Sequence, residues 1–189
     1  MVIRQPKQPT AERPPRRPAW QSPYHGVRVT PEEYLALPEE KPYLEYIDGM
    51  VVQKPMPNKL HSKLGARLAF LITMWIEQHG GAAGGGPSYR LPDVSFWKPG
   101  YEGGDEDPPT LAIEIRSPDQ TLAELRRKCR FFRENGVEAC WIIDPKSRRA
   151  EVFEGERDAV HIATDGVLTA ACLPSFELRL AELFAALDA

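Results

Sequence analysis

Two acidic residues sit where acids are uncommon. Leu91 to Trp97 (LPDVSFW) and Leu111 to Arg116 (LAIEIR) both alternate as half-buried strands do. Strand side chains have period two, so Leu91, Asp93, Ser95 and Trp97 share one face of the first segment, and Ala112, Glu114 and Arg116 share one face of the second. If the strands are neighbours, Asp93 and Glu114 project to the same side. Two carboxylates about 4 Å apart repel by about 4 kcal/mol at an effective dielectric near 20, so something must compensate them. A shared proton, a cation such as Arg116 or a divalent metal each does so, and oxygen ligands suit Mg²⁺ or Mn²⁺ rather than zinc. Spacing alone favours the plainer reading, a strand surface with an ion pair from Glu114 to Arg116 or Lys128, which is worth little.

The elements that must position these acids can be read along the chain. Thr30-Pro31-Glu32-Glu33 has the form of an N-cap, a proline at the first helical position and acids in the first turn. Asp48-Gly49 lies between apolar runs in YLEYIDGMVV and predicts a hairpin, because a type I′ turn needs positive φ at both central residues. Asn58 caps a helix with Leu60, Leu64, Leu68, Leu71 and Trp75 on one face, closed at His79-Gly80-Gly81. The glycine-rich residues after it read as a connector. Thr121 and Glu124 form a capping box for a helix that ends at Asn135-Gly136, with Leu122, Leu125, Cys129 and Phe132 inward. Strands are expected at Val137 to Pro145, at Arg149 to Glu154 and near His161, with a closing helix from Leu178. The pattern is α/β, a mixed central sheet flanked by helices.

A chain of 189 residues with a net charge of −3 reads as one domain, and any nucleic-acid partner must meet a local patch. Residues 1–28 read as a disordered, basic, Pro-rich arm, and residues 29–189 as the domain. Cys129, Cys140 and Cys172 lack metal-ligand spacing and suggest free thiols in a reducing cytoplasm. The basic N-terminus is followed by no apolar core, so a secretory signal is not expected, and no apolar run approaches the roughly 18 residues of a membrane span. The expectation is a cytoplasmic protein.

The motifs together resemble a known group. Leu44-Glu45-Tyr46-Ile47-Asp48-Gly49, His61, Pro92-Asp93-Val94-Ser95-Phe96, Glu114-Ile115-Arg116-Ser117-Pro118, Lys128 with Phe131 and Phe132, and Gly136 to Pro145 occur in the order found in the Uma-type restriction endonucleases. These are a branch of the PD-(D/E)XK nuclease superfamily. The resemblance runs from about Thr30 to Leu187. It implies a restriction-endonuclease-like core and metal-dependent hydrolysis of DNA phosphodiester bonds. Asp93 and Glu114 would hold Mg²⁺ or Mn²⁺, with the Ile115 carbonyl as a third ligand and Glu45 as an additional acid. The usual motif lysine is replaced by Arg116, which stays protonated and so serves a phosphate or water rather than acting as a base. The resemblance implies that the lysine has moved to Lys128, and it gives His61 a phosphate or water contact. Gly80 to Leu91 is short for the group, which leaves open a lost sheet strand or a displaced Asp93.

Two further functions stand beside the endonuclease. One is a catalytically inactive nuclease-fold module that binds nucleic acid or a protein partner. The other is metal-independent acid/base hydrolysis by the carboxylates. A homodimer is the expected arrangement if both strands of a duplex are cut.

Overall fold

The computed structural model describes residues 18–84, 90–101, 107–155 and 159–188. Residues 1–17 of the basic arm lie outside them. Residues 18–28, grouped by composition with the arm, run along the first hairpin. Ser22 N donates to Gln53 Oε1 at 2.7 Å, and Gly26 and Val27 exchange backbone bonds with Val51.

Among the described residues the first elements are helix α1 (Pro31–Leu35) and the hairpin of β1 (Leu44–Ile47) and β2 (Met50–Gln53). Asp48 and Gly49 take φ of 51° and 81°, as the expected turn requires. Helix α2 (Lys59–His79) follows, and Asn58 accepts from the His61 amide as its cap. Its buried residues are Leu64, Leu68, Ile72 and Trp75. Leu60 is exposed and leaves the predicted stripe, and Leu71 packs half-buried at its edge, because the fully buried face follows i, i+4, i+8 and i+11 from Leu64.

The central sheet comprises β3 (Ala82–Gly84), β4 (Val94–Trp97), β5 (Leu111–Ile115), β6 (Ala139–Asp144), β7 (Arg149–Glu154) and β8 (Val160–Ile162), in that spatial order. All pairs are antiparallel except β5 with β6. That parallel pair needs a crossover, which is helix α3 (Leu122–Glu134), opened by the Thr121/Glu124 capping box. A small pair, β9 (Val167–Leu168) and β10 (Leu178–Arg179), leads into helix α4 (Leu180–Ala185).

Two layers cover the sheet. Leu111, Ile113 and Ile115 of β5 pack with α2, α4 and the C-terminal segment. Ala112 of β5, with Cys140 and Ile142 of β6, packs beneath Leu125, Cys129 and Phe132 of α3. All five residues of β5 are therefore buried. The half-buried expectation is corrected: a central strand with helices on both sides has no solvent face, whatever its alternation.

The glycine-rich run after α2 is also more than a connector. Ala82–Gly84 pairs with Ser95–Trp97, so this edge of the sheet does have a strand.

Candidate active site

The site is assembled from four elements. Glu45 lies on β1, opposite Val52, and is 4% exposed. Asp93 precedes β4 and extends its pairing, since its amide donates to Ile113 O at 3.0 Å. Ser95 opposes Ala112 in the register, which brings Asp93 to the same face of the sheet as Glu114 on β5. Lys128 comes down from α3, one residue before the Cys129 that packs on the sheet, and is itself buried.

Lys128 ties the acids together. Its Nζ donates to Glu45 Oε1 at 2.6 Å and to Leu91 O at 2.9 Å, and lies 3.0 Å from Glu114 Oε1. The last contact is an ion pair without hydrogen-bond geometry, so Glu114 Oε1 keeps free acceptor capacity although the residue is 1% exposed. The Glu45 carboxylate also accepts from the Leu91 amide at 3.3 Å. Asp93 is engaged on both oxygens: Oδ1 lies 2.7 Å from Lys54 Nζ, while Oδ2 lies 2.9 Å from His61 Nε2 and accepts from Ile115 N at 2.8 Å. An ionised carboxylate only accepts, so His61 Nε2 carries the proton in this contact.

Burial and charge pull the protonation of these groups apart. Loss of solvent pushes the Glu114 carboxyl up to about 7, against the lowering charge of Lys128. Burial would also raise Asp93, but the hydrogen bond from His61 and the charges of Lys54, His61 and Lys128 outweigh it and hold Asp93 well below the usual carboxylate range. Burial would lower Lys128, yet Glu114, Glu45 and Asp93 together raise it above an ordinary lysine, so it stays charged.

Of the residues singled out from the sequence, Glu45, His61, Asp93, Glu114 and Lys128 converge. Arg116 does not join them. Its Nη1 donates to Asp144 Oδ2 and its Nε to Gln120 O, both at 3.0 Å. Its amide still donates to Ile143 O at 2.9 Å, but the guanidinium turns aside and straps the turn before α3 to the end of β6. The contact of Ile115 to the site runs through its amide. His61 meets Asp93 rather than solvent. Sequence reasoning missed Lys54 and the Leu91 backbone. Lys54 Nζ donates to Leu91 O at 2.8 Å, so that carbonyl serves two ammonium groups. Nothing in the sequence separates Lys54 from a solvated lysine at a strand end, and a backbone acceptor has no side-chain signature.

Asp93 also lines a broad groove, together with Trp20, Tyr43, Lys54, Met56 and His61, while Glu45, Glu114 and Lys128 are buried and do not line it. The sequence matches the Uma2 family, described as "Putative restriction endonuclease", over residues 31–181. The chain belongs to the Uma2 family. The structure of a putative nuclease from Anabaena variabilis ATCC 29413, solved by crystallography at 1.96 Å, is similar to it, with a TM-score of 0.74 and 26% identity over 84% of this chain and 99% of that one. No curated protein matches the sequence. The architecture is thus that of a nuclease fold, and the Uma2 match covers every residue of the cluster.

Restriction-endonuclease-like families generally use divalent ions. Among the described residues, no group of three His, Cys, Asp or Glu side chains stands ready to hold one. Lysines alternate with the acids here, Lys54 on Asp93 and Lys128 on Glu45 and Glu114. The donor chemistry nevertheless fits a hard cation: two carboxylates on one sheet face, one with a buried oxygen that lacks a hydrogen-bond partner.

Proposed function

We propose that this Uma2 chain is an endonuclease that hydrolyses DNA phosphodiester bonds with the help of Mg²⁺ or Mn²⁺. One observation carries the reading: Glu45, Glu114 and Lys128 form a buried ion cluster beside Asp93, which itself lines an open groove, in a chain of this family. Three acids and two lysines in so little volume are expensive to desolvate, and strongly perturbed titratable groups cluster at functional sites.

Asp93 and Glu114 would hold the ion, with Glu45 beside them. The ion, when bound, supplies neutralisation of the phosphoryl oxygens and a more acidic water. The protein does the rest. Lys128 remains protonated, so it donates to the attacking water or to the developing phosphorane charge and does not act as a base. His61 and the Ile115 amide fix the Asp93 carboxylate in one orientation. The groove admits the strand, and a homodimer would present two such grooves to a duplex.

The test is cleavage of supercoiled plasmid DNA with Mn²⁺, Mg²⁺ or EDTA. Wild type should cut only with metal, and Asp93→Ala, Glu114→Ala and Lys128→Met should each lose roughly a hundredfold or more. Metal-independent cutting, or full activity in folded Asp93→Ala, overturns the assignment. A second reading, a nuclease-fold module that binds without turnover, is favoured by Lys54 on Asp93 and by the diversion of Arg116 to Asp144. It predicts binding to DNA or a protein with no cleavage under any metal.

A further inference from the structure

Lys54 is the cation that the metal-dependent reading leaves without a role, and the inference below rests on that reading. It directly follows β2, on the hairpin that carries Glu45. Its ammonium sits 2.7 Å from Asp93 Oδ1 and 2.8 Å from the Leu91 carbonyl. Lys128 shares that carbonyl, but the two lysines differ in setting. The Lys128 side chain is 7% exposed and is held by two carboxylates as well as the carbonyl. The Lys54 side chain is 17% exposed and lines the groove with Pro55, Met56 and His61. Lys54 can therefore leave toward solvent without opening the core, which Lys128 cannot.

The two oxygens of Asp93 also differ. Oδ2 is occupied by groups that belong to the fold, the His61 ring and the Ile115 amide. Oδ1 is the oxygen through which Asp93 could meet an ion, and Lys54 stands on it. We propose that Lys54 is a tethered cation that competes with the divalent ion for Asp93 and thereby sets the metal affinity of the site. With Lys54 in place, Asp93 is compensated and the cluster folds without metal. An ion arriving at Oδ1 meets a like charge within about 4 Å unless the lysine swings away. The groove gives the freed ammonium a place to go, and a substrate phosphate there is the anion that would hold it. Metal and substrate then bind with positive coupling, each favouring the displaced lysine.

The experiment is calorimetric titration of Mn²⁺ into wild type, Lys54→Met and Lys54→Gln, each shown to be folded by thermal melting. Both variants should bind roughly tenfold tighter or better, since the competing charge is gone. Adding Asp93→Asn to Lys54→Met should abolish the binding heat. Equal or weaker affinity in the folded Lys54 variants overturns the role of Lys54 and leaves the metal-dependent reading standing. Binding that survives in the Lys54→Met/Asp93→Asn protein overturns it too, because the ion then sits elsewhere. If wild type and both folded variants bind no Mn²⁺ at millimolar concentration, the metal-dependent reading falls with it.

Discussion

At Glu114, burial rather than the neighbouring lysine decides the protonation. Its carboxyl is pushed from the ordinary 4.5 up to about 7. The unfolded chain gives up that proton near 4.5, and the folded chain only near 7. The stabilising effect of the protonated acid is thus complete below about 4.5 and is lost as pH rises through about 7. Asp93 shifts the other way: its contribution is present above the ordinary 3.8 and is lost only as pH falls below it, outside this window. Glu114→Gln keeps the shape and cannot ionise. Relative to wild type it should gain up to about 3 kcal/mol between about pH 5 and pH 8. Urea melts of both proteins at the two pH values check this. A difference that stays constant, or that moves in favour of wild type at pH 8, would show that Glu114 is ionised in the fold at low pH.

Among the elements, the edge strand β3 is not legible in the sequence, nor is the short β9–β10 pair where the closing helix is expected to begin, and β3 depends on one glycine. Gly81 turns the chain from α2 into β3 with φ of 108°. A Cβ there would lie 2.5 Å from the Trp97 carbonyl oxygen and 3.0 Å from Phe96 Cε2. Both neighbours belong to β4, the strand that continues from Asp93. Gly81→Ala should cost about 1–3 kcal/mol from the backbone conformation, with more from the clash. It should also speed amide exchange in β3 and β4. Gly84→Ala is the control, because the atom nearest its added Cβ is 3.7 Å away on the Trp97 ring. Thermal melts and hydrogen exchange of the two variants should separate them. Equal behaviour would mean that β3 does not brace the strand that carries Asp93.

Over the whole molecule, the charge distribution limits how DNA can be held. The net charge is −3. The basic residues Arg126, Arg127, Lys128 and Arg130 stand close together on α3, but part of that charge is spent inside the fold. Arg126 pairs with Glu151 through Nε at 2.7 Å and Nη2 at 2.5 Å, and Lys128 is buried in the site. The groove offers Lys41, Lys54, His25 and His61. Few phosphates can then be neutralised, and log K against log salt should have a slope of roughly −3. Fluorescence anisotropy of the Asp93→Ala protein on labelled duplex, over a range of KCl concentrations, measures it. A slope steeper than about −6 would transfer the binding to basic residues away from the groove, with those of residues 1–17 the first to delete.

What the sequence by itself determined is local or periodic. The Asp48-Gly49 turn, the caps at Thr30, Asn58 and Thr121, and the side of the strand on which Asp93 and Glu114 lie all follow from a few adjacent residues. The fold class followed from the order of such segments, and Glu45, Lys128 and His61 were found through family resemblance rather than through spacing. Only the tertiary structure decided what faces those side chains. Period two assigns Glu114 a face but not the helix that seals it. Nor does it say that Arg116, one residue past the strand end, turns to Asp144. The bond from Lys128 to Glu45 spans 83 positions, and that from Lys54 to the Leu91 carbonyl spans 37. Contacts of that range depend on how layers stack, and the stacking is set by the burial of the whole apolar surface rather than by any pair of polar residues.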